Sequence, residues 1–295
     1  MPPDPSAVAP DIAALLAPFC VTREGPGPGP FQAIGQDGIR RVAERLEISL
    51  ARAMALCLEH GVWPLRFARN RGVFSAQEQL RLLKSRAAII GCGGLGGHVA
   101  TLLARAGVGA FTLCDGDVFD ETNLNRQLLC RETALGRGKA LVAKEELAAI
   151  ASHASVRVFP VAAGPGNLPE ILSGASIVMD CLDSLATRRS VAQAANIAGI
   201  AFVHGAVAGC EGFAMLIRPG EKSLESLYPD SEGSLENTRA GGGAESSLGV
   251  PTLTPAGIAA LQASLALQAL TGKQPASGRL YHLDIAEPML EALEL

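Results

Sequence analysis

Between Asp115 and Lys139 the chain carries polar side chains whose types suit a multiply charged phosphate ligand. Residues 115–127 read DGDVFDETNLNRQ, and GRGKA follows at 136–140. Arg126 offers a planar guanidinium fork for phosphate oxygens, and Asn123 and Gln127 add neutral donors. Lys139, at the start of a helix, adds a point charge. Asp115 closes a strand 24 residues beyond Gly91, where a carboxylate can accept hydrogen bonds from ribose hydroxyls. Asp117 belongs to the same cluster. Farther on, IVMDCLDS places Asp180 at a strand end and Asp183 three residues later. Mg2+ takes one or two carboxylates with phosphate oxygens and water. Asp183 is therefore the better metal candidate and Asp180 the second; helix N-capping is the alternative use of a carboxylate here.

These groups need a scaffold that brings them to one crevice. The run AAIIGCGGLG places Gly91, Gly93, Gly94 and Gly96 between a strand and a helix. Gly91 permits a tight turn, Gly93 lets backbone approach phosphate, and Gly96 lets the helix pack on the strand. The helix N-terminus then presents free N–H groups to an anion. Dehydrogenases use the same turn, but a nicotinamide gives Arg126, Lys139 and Asp183 no shared task. The combination points to ATP and to chemistry at phosphorus.

Short apolar runs alternate with helical stretches over residues 86–205. Strands are expected at Ala87–Ile90, Ala110–Asp115, Val156–Pro160, Ile177–Asp180 and Ala201–His204, and helices near 95–107, 137–151, 167–173 and 185–199. This is the pattern of an α/β fold with a doubly wound, Rossmann-like, mainly parallel sheet. VAGCEGFAMLIRP extends the sheet with antiparallel strands; a final helix covers 255–271 and GRLYHLDI forms a last strand. Leu124 is expected to anchor its loop in the core. Residues 1–30, rich in proline and glycine, are expected to form a flexible arm, and 31–62 a small helical region. The main domain is expected over 63–295, with a long polar loop at about 219–253.

Bulk composition narrows the classes. Apolar residues make up 48% of the 295-residue chain and aromatics 4%, which suits an aliphatic core between sheet and helices. A net charge of −4 argues against nucleic acid as a main partner. The seven cysteines form no CxxC pair, so neither a zinc site nor a secreted disulfide framework is expected. A spanning segment and a signal peptide are not expected, and a cytoplasmic location is the default.

The series GCGGLGG…DGDVFDETNLNRQ…GRGKA…MDCLDS resembles the ThiF/MoeB/HesA family of ubiquitin-activating-type adenylyltransferases. The likeness runs from about Arg66 to about Gly272. It implies ATP-dependent adenylation of the C-terminal glycine of a ubiquitin-like sulfur carrier of the ThiS/MoaD type, ending in Gly-Gly, with release of pyrophosphate. By this resemblance Asp115 binds ribose, while Asn123, Arg126, Gln127 and Lys139 bind the triphosphate and Asp183 holds Mg2+. RFARN at 66–70 is similar to the family's arginine element, which implies that Arg69 reaches into a partner subunit's site and that the chain is a homodimer.

Two departures carry consequences. The paired CxxC motifs of zinc-bearing members are missing, so no structural zinc is expected. The loop at 219–253 holds no cysteine, only serines such as Ser246 and Ser247, so a thioester on it is not expected. Cys210, just upstream, is expected to be a buried strand residue. The adenylate would then pass to an external sulfur donor, a cysteine desulfurase or sulfurtransferase. An ATP-using tRNA dehydratase of the same fold, an NAD(P)-dependent oxidoreductase and a non-catalytic nucleotide-binding module remain the alternatives.

Overall fold

The computed structural model describes residues 11–221, 224, 227–228, 248–275 and 278–294. Most of the loop expected at 219–253, including Ser246 and Ser247, lies outside the described residues. The chain divides into two compact units, Met1–Leu83 and Lys84–Leu295.

In the first unit, helix α1 (Ile12–Leu16) precedes strands β1 (Cys20–Arg23) and β2 (Phe31–Ile34), which pair antiparallel from Cys20↔Ile34 to Arg23↔Phe31. Residues 1–10 lie outside the described residues; over 11–30 this corrects the expected flexible arm. Its prolines and glycines fill the turn between β1 and β2, while Gln32 donates to Thr22 across the pair at 2.9 Å. Two helices follow, α2 (Gln36–Leu46) and α3 (Leu50–Glu59), as the helical periodicity of 31–62 implies. Ser49 caps α3 by accepting the Arg52 N–H at 3.2 Å. The short strand β3 (Trp63–Pro64) lies parallel to β2. Ile34, Ile39, Val42, Met54 and Phe67 are buried in this unit's own core. The contact boundary falls after Leu83, beyond the expected residue 62, because Leu80 and Leu83 of helix α4 (Ala76–Lys84) complete that core.

The second unit is built on an eight-stranded sheet of order β11-β10-β9-β8-β7-β4-β5-β6. Strands β4 (Arg86–Ile90), β5 (Ala110–Cys114), β6 (Ser155–Phe159), β7 (Ile177–Asp180) and β8 (Ala201–Ala208) run parallel. Strands β9 (Glu211–Ile217), β10 (Arg279–Asp284) and β11 (Met289–Glu294) continue it antiparallel. The crossover helices are α5 (Gly94–Ala106), α6 (Lys139–Ile150), α7 (Leu168–Ile171) and α8 (Leu185–Ile197). The fold class expected from the sequence is the one observed. Strand β11 was not anticipated: its six residues are all exposed, so no one-sided apolar alternation marks it.

Helix α9 (Leu253–Thr271) reaches the length and apolarity of a membrane span, contrary to expectation, but it packs against α5, β8 and β9 with Ile258, Ala259, Leu265 and Ala266 buried. It is a core helix of this unit.

The chain leaves β4 toward β5 and β6, then returns to the other side of β4 as β7. That reversal opens a crevice at the carboxyl ends of β4 and β7, where open α/β sheets bind ligands. Gly91, at φ +91°, is held there so tightly that a Cβ would stand 2.4 Å from the Cys181 carbonyl oxygen. A Cβ on Gly96 would stand 1.9 Å from the carbonyl oxygen of Gly91. Gly96→Ala therefore forces α5 away from β4. We expect a loss of at least about 1–3 kcal/mol in unfolding free energy, measurable by urea denaturation, together with loss of nucleotide binding.

Candidate functional site

A cleft of about 250 Å3 lies at this crevice, and its wall includes Gly91, Gly93, Gly94, Asp115, Asp117, Arg126, Gln127, Lys139 and Asp183. Residues spread over more than ninety positions of sequence thus converge on one cavity. The N-terminus of α5 faces it with the unpaired N–H groups and partial positive charge of a helix start.

Asp115 braces the glycine turn. One carboxylate oxygen accepts the Cys92 N–H at 2.7 Å, and the other accepts the Asp117 N–H at 2.8 Å. Burial raises its pKa, and those two hydrogen bonds oppose the shift. Lys139 is buried as the first residue of α6, and its Nζ lies 3.1 Å from Asp117 Oδ2. Its backbone N–H also donates to the Asp117 carbonyl at 2.9 Å. Asp117 therefore aims the lysine. Gln127 is buried beside Gly93, and its Oε1 has no hydrogen-bond partner, a polar atom left for a ligand. The Arg126 guanidinium is held at one terminal nitrogen, where Nη1 donates to the Thr122 carbonyl at 2.8 Å and to Asn125 Oδ1 at 3.0 Å.

Some expected residues stand elsewhere. Asn123 is buried but does not line the cleft. Its Oδ1 accepts the Asp120 N–H at 3.1 Å and closes a capping box that shapes the 120–124 turn. Gly96 acts through packing and lines nothing. Leu124 is 37% exposed rather than anchored; Phe119 and Leu129 hold that loop in the core. Cys210 is exposed in the turn between β8 and β9, not buried in a strand. Arg69 is an exposed residue of the first unit.

The largest correction concerns Asp180. Its carboxylate is fully buried, with Oδ2 at 2.6 Å from His204 Nδ1 and 2.8 Å from Arg188 Nε. It is committed to these partners and does not line the cleft. N-capping of α8 falls to Ser184, which accepts the Thr187 N–H, and this frees Asp183. Asp183 is exposed toward the cleft. No cluster of three or more His, Cys, Asp or Glu occurs among the described residues that could cage a cation alone. One carboxylate beside a phosphate cradle is the donor set Mg2+ takes with phosphate oxygens and water, so these residues fit that ion. Ser184 and Thr187 also line the cleft and were not anticipated; their place in the first turn after Asp183 was the available signal.

Three cysteines near the glycine turn are poor nucleophiles. Burial pushes Cys114 up to about 12 and raises Cys92 and Cys181 well above the ordinary thiol range.

A second, wider groove of about 820 Å3, bounded by Glu121, Thr122, Leu124, Asn125 and Gly249, shares Arg126, Asp183 and Val250 with the cleft. The two cavities meet at those side chains.

The family model ThiF matches residues 67–295. The chain belongs to the ThiF family. The SAMP-activating enzyme E1 of Haloferax volcanii is 29% identical over 218 residues, 73% of this chain and 78% of that protein. The adenylyltransferase and sulfurtransferase MOCS3 of Xenopus laevis is 31% identical over 227 residues, 76% of this chain but only 49% of its own length. Among solved structures, E. coli MccB with ATP superposes with TM-score 0.63 at 23% identity, over 74% of this chain and 66% of that one. The Microcin C7 biosynthetic enzyme MccB in complex with N-formylated MccA gives 0.66 at 20% identity, over 94% and 95%. These structures share the fold, and the family places the chain among adenylyltransferases.

The buried histidine gives the folded state a pH signature. Burial lowers the His204 pKa below its ordinary 6.5, against the opposing pull of Asp180. The unfolded chain then binds a proton that the native state refuses, so this group's contribution to stability is present above pH 6.5 and is lost as pH drops below it. His98, also lowered by burial, adds a slope of the same sign. We expect His204→Gln to flatten the loss of unfolding free energy between about pH 7 and 5, checked by denaturant titration across that range.

Proposed function

We propose that the chain adenylates the C-terminal glycine carboxylate of a small ubiquitin-like sulfur-carrier protein, using ATP and Mg2+ and releasing pyrophosphate. The observation that carries this reading is the junction of the two cavities at Arg126 and Asp183. A nucleotide bound in the cleft and a polypeptide tail in the groove would meet at these side chains.

In this mechanism the nucleotide's phosphates lie against the α5 N-terminus, Lys139 and Arg126. Asp115 faces the ribose, and Gln127 offers its unpartnered amide oxygen as an acceptor. Asp183 holds Mg2+, which neutralises phosphate charge when bound. The attacking carboxylate is ionised near neutral pH and needs no base. It attacks the α-phosphorus, the bond to the pyrophosphate oxygen breaks, and an acyl-adenylate forms. The chain's task is positioning and charge stabilisation. Arg69 from a second copy completes the charge in a homodimer. With no cysteine at 219–253 and the cleft thiols held protonated, the adenylate passes to an external sulfur donor.

A second reading of the acceptor has one observation behind it: the likeness to MccB covers 94% of this chain, the first unit included. In that reading the tail belongs to a partner like MccA rather than to a folded carrier.

Incubation with ATP, Mg2+ and small proteins ending in Gly-Gly should yield an acceptor heavier by one AMP in mass spectrometry. Short peptides with other C-termini should not; the reverse result selects the second reading, and no adduct with any acceptor rejects both. Arg126→Ala and Asp183→Ala should each lower ATP–pyrophosphate exchange by about 10²–10³-fold, the scale of losing one transition-state donor. Near-normal exchange in either variant contradicts the assignment.

A further inference from the structure

The buried cluster behind Asp183 has no task in the mechanism above, and its geometry assigns it one. Asp180 Oδ1 accepts the N–H of Leu182 at 3.2 Å. Arg188 Nη2 donates to the carbonyl of the same residue. Both polar groups of the backbone unit preceding Asp183 are therefore tied to buried charges. Arg188 Nη2 also donates to the Gly205 carbonyl at 3.2 Å. From α9, Gln262 Nε2 donates to the Asp180 carbonyl at 2.8 Å and to the Val203 carbonyl at 3.2 Å. Strands β7 and β8, helix α8 and helix α9 are thereby joined around one carboxylate.

The cluster extends to a fifth segment. Asp180 can only accept, so His204 Nδ1 carries the proton and Nε2 is left to accept from the Tyr228 hydroxyl at 3.3 Å. Arg188 Nη1 donates to that hydroxyl at 3.1 Å, and Arg189 Nη2 donates to the Tyr228 carbonyl at 2.7 Å. Tyr228 lies in the segment that leaves β9 for the long polar loop. Among the described residues of that segment, its hydroxyl is the group bonded to both His204 and Arg188.

We propose that Arg188, His204 and Tyr228 are positioning residues: with Asp180 they fix the 181–184 turn so that Asp183 enters the cleft in one orientation, and Tyr228 makes that orientation depend on the placement of the segment after β9. This deepens the proposed function and rests on the assignment of Asp183 to Mg2+. The physical reason is the low dielectric around the cluster. Buried charges there are held in place by the hydrogen bonds that compensate them, so loss of one hydroxyl or one arm of the guanidinium is felt at Leu182. Carboxylates that bind metals commonly depend on such outer partners.

Two variants test this with little change in packing. Tyr228→Phe removes one hydroxyl. Arg188→Lys keeps a charge for Asp180 and loses the fork that reaches Leu182. The probe is the nonhydrolysable analogue α,β-methylene-ATP, titrated by calorimetry into the whole chain in Mg2+ and again in EDTA. In the parent protein Mg2+ should tighten binding. In both variants that Mg2+-dependent gain should shrink by about tenfold, the scale for loss of an outer partner of a metal ligand, with affinity in EDTA unchanged. Backbone amide exchange of the 181–187 peptide, followed by mass spectrometry without nucleotide, should speed up in both. A lowered melting temperature with the Mg2+ gain and the exchange rate at parent values would overturn the proposal and leave the adenylation reading standing. A parent protein whose analogue binding ignores Mg2+ would instead sink the metal assignment, and this proposal with it.

Discussion

Two turns of backbone touch at Gly91, and most of the site follows from that contact. The loop after β4 can pass against the loop after β7 only because no side chain intervenes, with the Cys181 carbonyl where a Cβ would be. The same absence at Gly96 seats α5 on the strand. This brings a helix start, with its unsatisfied donors, within one cavity of Asp115 on one side and Asp183 on the other. Conformational strain is accepted at glycine, where it costs least, and the gain is a crevice narrow enough for backbone to meet phosphate.

Around that crevice the charges are sorted by burial. Lys139 and Gln127 are buried and face the cavity, while Arg126 and Asp183 stand nearer its mouth and share it with the wider groove. Asp180, only three residues before Asp183, is sealed among His204, Arg188 and Gln262. Two carboxylates from one motif thus hold opposite roles, one inward and structural, one outward and free for a ligand.

Much of this was legible in the chain. Strands β4, β5 and β7 show as apolar runs cut off by glycine or aspartate, and the polar residues after them fall at carboxyl ends because the sheet is parallel. What the chain concealed was pairing across distance. Asp180 looked like a ligand because its partner His204 lies 24 residues away, in a strand that otherwise reads as apolar. Asn123 looked like a phosphate donor because a capping box and a ligand motif use the same residue types. The hairpin of β1 and β2 hid in a segment whose prolines and glycines suggested no order, since composition does not reveal register. Cys210 belongs to a turn whose preceding glycine has φ +57°, and that turn lifts the thiol out of the sheet.

Helix α9 has a bearing on how the chain is made. It is greasy enough to pass for a bilayer segment, yet α5, β8 and β9, which supply most of its packing, are encoded ahead of it. On a ribosome most of its berth is made before it emerges, and β10, which also packs on it, is laid along the sheet afterward. A circular permutation that moved this helix to the front would bring it out first, oily and alone, with nothing yet translated to shield it.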